Sequence, residues 1–253
     1  MRDASECFWN ASLEEMKRGY IEEENCYVCL LCGQEFQKGI IYPEEGILYE
    51  VERYVRVHIE KVHQSVFNYL IEMDKKLTGL TDHQKSLLKL FYQGKNDKEI
   101  QEELGIGSAS TIRNHRFVLK EKERQARVYL AMMELLKEKD QYAPAFIDPH
   151  QTARMIDDRY NVTREEYNEL VKKYFPEDLE GRLSAFAQKE KHRLVVLREI
   201  VKRFELDQNY SETEVNQILE AVYDDYVMMR RYLIEYGFLD RKPDGSRYWV
   251  KKG

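Results

Sequence analysis

Residues 80–115 read LTDHQKSLLKLFYQGKNDKEIQEELGIGSASTIRNH, and the punctuation of this stretch decides the fold class. Thr81 with Gln84 three residues on is a capping box, in which each side chain satisfies a backbone N–H at the other end of a first helical turn. Leu87, Leu88, Leu90 and Phe91 then supply a buried helical face, and Gly94 stops the helix. A second short helix runs from Asp97 to about Leu104, with Ile100 and Leu104 turned inward. Gly105–Ile106–Gly107 makes a tight turn, and a third helix opens at Ser108 or Ser110 with Ile112 inward. The next stretch, LKEKERQARVYLAMMELL (119–136), has no Gly or Pro to end that helix. Leu119, Lys122, Ala126, Tyr129, Met133 and Leu136 alternate at three and four. Such a seam serves for pairing with a second copy or another helix, or is ordinary core packing.

This three-helix pattern resembles the DNA-binding module of LuxR-type response regulators over about 60 residues. Leu80–Thr81, Leu88, Leu90, Gln93–Gly94–Lys95, Asp97–Lys98–Glu99–Ile100, Leu104, Ile106 and Ser110 to His115 carry the likeness. The resemblance implies a third helix in the major groove, with Arg113, Asn114 and Phe117 facing bases. It also implies phosphate contacts from Lys98, Thr111, Arg116 and Lys120. The chemistry agrees: Arg pairs with guanine N7/O6 and Asn with adenine N6/N7, both bidentate, and Phe suits a thymine methyl. Two departures are visible. The turn between Ile106 and Ile112 is one residue longer than in that family, and the family's break after the third helix is missing. The pattern is also similar to the promoter-reading region of bacterial sigma factors, though no sigma-type core-binding segment accompanies it. Residues 1–78 do not show the alternating strands and helices of a receiver domain.

Upstream, Cys29 and Cys32 flank two residues, and His58 and His63 flank four on a segment read as one helix over 52–77. Two thiolates from one knuckle and two imidazoles within about one helical turn fit a tetrahedral zinc site. Gly33 frees the backbone to turn N–H groups toward the sulfurs, and Phe36 supplies an apolar plug. YVCLLCGQEF and VHIEKVH resemble the zinc-finger family over about 40 residues. The interval from Cys32 to His58 is roughly twice that of a compact finger, and an inserted hairpin around Pro43–Gly46 would absorb it. Cys26 competes as a ligand, since Cys26 and Cys29 have the same spacing; the role of Cys7 stays open. Four protein ligands leave no open position for water, so the expected cofactor is a structural zinc rather than a catalytic one.

Downstream, Pro144 and Pro149 mark a connector, and Thr163 with Glu166 forms another capping box. From Arg182 the pattern restarts: a helix over about 184–204, one capped by Ser211 and Glu214, and one over about 224–236 that ends at Gly237. Phe238–Arg241 and Arg247–Val250 flank Pro243–Asp244–Gly245 as a hairpin. YSE-x-EVN, the RR pair at 230–231 and DGS-x-Y resemble a bacterial domain of unknown function found at the ends of small transcriptional regulators. Three helices and a hairpin are the winged-helix order. Arg230 and Arg231 on the third helix, with Arg241, Lys242 and Arg247 on the wing, are then phosphate contacts. Alternatively the module docks proteins, and the arginines pair with Asp224, Asp225 or Asp240.

Composition bounds the rest. The 253 residues are 43% hydrophobic and 34% charged, with 12 Gly and 5 Pro, which excludes whole-chain disorder and collagen-like or linker-rich architectures. No apolar run approaches the ~20 residues that cross a bilayer, and no secretory leader is visible, so the expected compartment is the cytoplasm with no membrane partner. The net charge of −6 is uneven: −6 over 1–70, +2 over 71–140, −4 over 141–181 and +2 over 182–253. A local basic excess near 113–127 can bind phosphate because distant charge is screened beyond ~8 Å. No nucleophile elbow, phosphate-cradling glycine loop or His-Glu-x-x-His motif appears, so an enzyme is not expected. The expectation is a mainly α chain in four parts: a zinc-finger-like region (1–78), a helix-turn-helix with a long helix (79–140), a helical connector (141–181), and a winged-helix-like module with a β-hairpin (182–253). The expected function is a homodimeric transcriptional regulator on duplex DNA. The alternative is an adaptor or antiactivator that docks on another regulator or RNA polymerase.

Overall fold

The computed structural model describes residues 4–154 and 156–251. The chain is mainly helical, with small antiparallel sheets. It divides into two compact units: residues 79–144 form one, and the segments before and after them form the other. The four sequence segments thus map onto two units, with the N-terminal and C-terminal segments sharing one.

The shared unit begins with α1 (Ala4–Asn10) and α2 (Leu13–Arg18), the latter opened by a capping box between Ser12 and Glu15. Strands β1 (Tyr20–Glu22), β2 (Cys26–Cys29) and β3 (Glu35–Gln37) form a sheet in that order, with Tyr20 opposite Cys29 and Tyr27 opposite Phe36. A separate hairpin, β4 (Ile41–Glu44) and β5 (Ile47–Glu50), runs directly into α3 (Val51–His63). This hairpin occupies the interval between the cysteines and the histidines. The helix read over 52–77 is three helices: α3, α4 (Val66–Glu72) and α5 (Lys75–Thr78). Gln64 adopts φ 63°, and the Ser65 side chain accepts from the Asn68 N–H, so local side-chain capping outbids continuation of the apolar stripe. Tyr20, Tyr27, Leu31, Phe36, Val55 and Ile59 form the small core under the sheet.

The other half of this unit comprises α9 (Arg164–Tyr174), α10 (Glu190–Ile200), α11 (Glu212–Glu220), α12 (Tyr226–Glu235) and the hairpin β6 (Leu239–Arg241) with β7 (Tyr248–Val250). The capping boxes at Thr163/Glu166 and Ser211/Glu214 are formed. Among the described residues of 149–175, expected to hold two helices, α9 is the only α-helix, and a 3-10 turn at Asp158–Tyr160 stands for the other. Leu194, Leu197, Ile200, Val215, Leu219, Met229, Leu233, Leu239 and Tyr248 bind the helices to the hairpin in one large core.

The inserted unit consists of α6 (Asp82–Tyr92), α7 (Asp97–Leu104) and α8 (Ala109–Lys137). Thr81 and Gln84 form their capping box, Asn96 and Glu99 form a second, and the Ser108 hydroxyl accepts from the Thr111 N–H to open α8. Leu87, Leu90, Ile100 and Ile112 are its core. His83 and His115 meet edge to face at 4.9 Å and seat α6 against α8. Helix α8 runs 29 residues without a break and buries only Ile112. Val128, Tyr129, Leu130, Met132, Leu135 and Leu136 along its second half are exposed.

Candidate functional site

The knuckle between β2 and β3 presents two sulfurs. Its backbone is closed by the Gly33 N–H on the Cys29 carbonyl (2.8 Å) and the Cys29 N–H on the Gln34 carbonyl (2.9 Å). Helix α3 lies across it and brings His58 from its middle and His63 from its last position. The Cys32 Sγ is 3.3 Å from His58 Nε2, and the Cys29 Sγ is 3.8 Å from His63 Nε2. All four ligand atoms fall within 4.8 Å of one another. A tetrahedral ion with Zn–S of ~2.3 Å and Zn–N of ~2.05 Å would hold sulfur and nitrogen about 3.6 Å apart, so these residues fit a metal ion of that class. Phe36, 5.0 Å from the His58 ring, and Tyr69, edge-on to His63 at 6.0 Å, wall the group.

The electrostatics favour a bound cation. The hydrogen bond from Cys29, and then those from His58 and His63, pull the Cys32 thiol far below the ordinary thiol range. The same sharing with Cys32, followed by burial, pushes Cys29 up. Two sulfurs and two imidazole nitrogens thus converge on one point, and a dication that displaced the thiol protons would stabilise both sulfurs. Cys26 does not join the group. It lies in β2 3.9 Å from the Glu23 carboxylate, and burial, followed by Glu23, raises its thiol, which keeps it protonated. The competition between Cys26 and Cys32 left by spacing alone is therefore resolved by strand register: Cys26 pairs with Gln37 on the sheet, away from the histidines.

The residues singled out for nucleic acid lie in both units. On α8, Arg113, Asn114, Phe117 and Lys120 are exposed at spacings of one, three and three, along one side of the helix. Thr111 is exposed in the first turn of α8 and shares a hydrogen bond with Ser108 at 3.0 Å. Lys98 is exposed in the first turn of α7. Lys120 reaches Glu123 at 2.6 Å. Arg116 is turned back: it donates to Asp97 at 2.9 and 3.1 Å and lies 3.7 Å over the Phe91 ring, fastening α8 to the start of α7.

In the other unit, Arg231, Arg241, Lys242 and Arg247 are exposed on α12 and the β6–β7 hairpin. Arg230 is held instead by Asn216 at 2.5 Å and Glu212 at 2.8 Å, with the Tyr248 ring beneath it. Its partners are on α11, not the aspartates at 224, 225 or 240.

Residues 182–250 match a bacterial family described only as an uncharacterized conserved protein, DUF2087. No curated protein and no solved structure matches the chain. The family match covers α10 to β7 together with the segment before them, and its description names no activity or ligand. Among the described residues no helix is long and apolar enough to cross a membrane.

One participant was hidden from sequence reading. Gln151, in the connector, donates its side-chain amide to the carbonyl of Leu30 inside the knuckle at 3.0 Å and accepts from the Tyr69 hydroxyl at 2.7 Å. A glutamine in an irregular segment carries no periodicity, and only its burial marks it.

Proposed function

We propose that this chain is a homodimeric, DNA-binding transcriptional regulator whose inserted unit is a helix-turn-helix and whose Cys29, Cys32, His58 and His63 hold a structural zinc. The observation that carries the reading is the exposed side of α8 with Arg113, Asn114, Phe117 and Lys120, presented by a rigid core of Leu87, Leu90, Ile100 and Ile112. Arg and Asn at successive positions offer two bidentate base readers, and Lys98, Thr111 and Lys120 surround them as phosphate contacts. Arg116 acts here as a brace between α7 and α8. The C-terminal module is read as a winged helix, with Arg231, Arg241, Lys242 and Arg247 available to phosphate and Arg230 serving its interior. Nothing in this reading requires catalysis.

Selection from a random duplex pool by the zinc-loaded protein, with salt varied, tests it. An enriched motif is the expected result, and Arg113→Ala should lower affinity for that motif by about 1–3 kcal/mol while relaxing preference at one position. Lys120→Ala should weaken binding evenly across sequences and reduce the salt slope by about one. Absence of both enrichment and salt dependence would overturn the proposal.

The dimer is assigned to the second half of α8. Met133→Glu is expected to shift sedimentation from dimer to monomer, since it sets a charge in the seam formed with Ala126, Tyr129 and Leu136. A specific observation also favours the adaptor reading. Val128 and Leu135 are exposed on the side of α8 away from that seam, so the apolar surface is wider than one partner helix covers. A stable protein partner together with no DNA enrichment would favour that alternative.

A further inference from the structure

Four consecutive residues of the connector tie the metal knuckle to the C-terminal half of the same unit. The Trp9 indole donates to the Pro149 carbonyl at 2.7 Å. The His150 ring lies flat on Phe238 at 4.0 Å, with one nitrogen 3.0 Å from the Tyr236 carbonyl and the other 3.1 Å from the Tyr160 hydroxyl. Gln151 turns the opposite way, to Leu30 and Tyr69. The Thr152 hydroxyl returns to the C-terminal half and donates to the Gly237 carbonyl at 2.7 Å. The Ala153 N–H on the His150 carbonyl, at 2.9 Å, closes the turn that lets neighbours face opposite sides.

The chemistry of Gln151 sets it apart. Its amide is 8% exposed and has a partner at each end. Leu30 adjoins the ligand Cys29, and Tyr69 rests against the ligand His63. The Tyr69 hydroxyl donates to the Gln151 side-chain oxygen at 2.7 Å, which fixes the orientation of the glutamine amide. A buried carbonyl and hydroxyl that lose their shared partner carry a desolvation cost, so the knuckle and the connector are held together or loosened together.

We infer that Gln151 is an outer-sphere positioning residue of the metal centre, and that residues 149–152 make metal occupancy and attachment of the C-terminal helices interdependent. The inference rests on the metal reading above. Linkage makes the coupling reciprocal: whatever loosens the Thr152–Gly237 side weakens the metal, and loss of metal loosens the α12–β6 corner.

The test uses the full-length zinc-loaded protein. Competition with a chromophoric chelator measures zinc affinity, and hydrogen exchange follows residues 149–152 and 236–239 before and after chelation. Gln151→Leu should weaken zinc about tenfold, within the range of outer-shell substitutions at metal sites. Thr152→Val, which touches no ligand, should weaken it about two- to fivefold, while Ser211→Ala, which destabilises α11 away from the link, should leave it unchanged. Chelation should raise exchange at 236–239 in the wild type, and less so in Gln151→Leu. Should Gln151→Leu fail to fold, Thr152→Val and the wild-type exchange data decide. Unchanged zinc affinity in Thr152→Val, or chelation that deprotects only residues 26–63, overturns the inference while the metal reading stands. A wild type that binds no zinc overturns both.

Discussion

Replacement of Cys29 by serine is expected to abolish stoichiometric zinc binding and to unfold residues 20–63, a larger effect than any single contact in this region would give. The core there is small: Tyr20, Tyr27, Leu31, Phe36, Val55 and Ile59 with a few half-buried neighbours. Three short strands and one helix surround two sulfurs and two imidazoles, polar groups whose burial costs stability unless an ion binds them. Structural zinc contributes on the order of 10 kcal/mol of binding free energy in small metal-dependent folds, and binding is coupled to folding. Cys29 is fully buried, so it cannot be replaced by a water ligand. Metal analysis should fall from one zinc per chain to none. Limited proteolysis should open sites between β2 and α3 while the inserted unit, which has its own core, resists. Cys26→Ser is the matched control, because that thiol is bonded to Glu23 and outside the group; it should retain the metal. An unchanged zinc content in Cys29→Ser would remove this residue from the ligand set.

Gly237→Ala should be the most damaging small substitution outside the metal centre. Gly237 sits at φ 86° between α12 and β6, where an L side chain is strained. A Cβ there would lie 2.3 Å from the Thr152 carbonyl oxygen and 3.4 Å from Arg154 Cγ. The first obstacle is backbone, held by the turn at 150–153, and cannot swing aside as a side chain would. The left-handed conformation costs about 1 kcal/mol for alanine, and the clash forces the connector off the corner, for a total of about 3–4 kcal/mol in urea unfolding. Gly46→Ala in the β4–β5 hairpin separates the two contributions. Nothing lies within 4 Å of a Cβ there, so only the conformational part remains, about 1 kcal/mol. Equal losses at the two positions would mean that the Thr152 contact yields easily.

Capping boxes were readable because they are local: Thr81/Gln84, Thr163/Glu166 and Ser211/Glu214 are each formed within one helical turn. The four candidate metal ligands were readable for a similar reason, since each pair is local: the cysteines share one knuckle and the histidines share α3. The three-stranded sheet over 20–37 was not. Its strands are three or four residues long, and Cys26–Cys29 is buried at every position, so no alternation betrays it. The break at Gln64 is masked by an apolar stripe that continues on both sides of it. Charge was the least legible property. Arg116 and Arg230 read as phosphate candidates, and each meets a carboxylate on a neighbouring helix, Asp97 and Glu212. The pairing depends on packing that no local pattern records.

The division of the chain also sets a timetable for synthesis. Leu30 and Gln151, which share a hydrogen bond, are 121 residues apart. At about 5–20 residues per second, the first waits on the order of 6–24 s for the second to leave the ribosome. The core of residues 79–144 spans only Leu87 to Ile112 and is complete well inside that interval. The guest's core is therefore synthesised before its host can close, and the Cys29–Cys32 knuckle spends the delay without the glutamine that seals it.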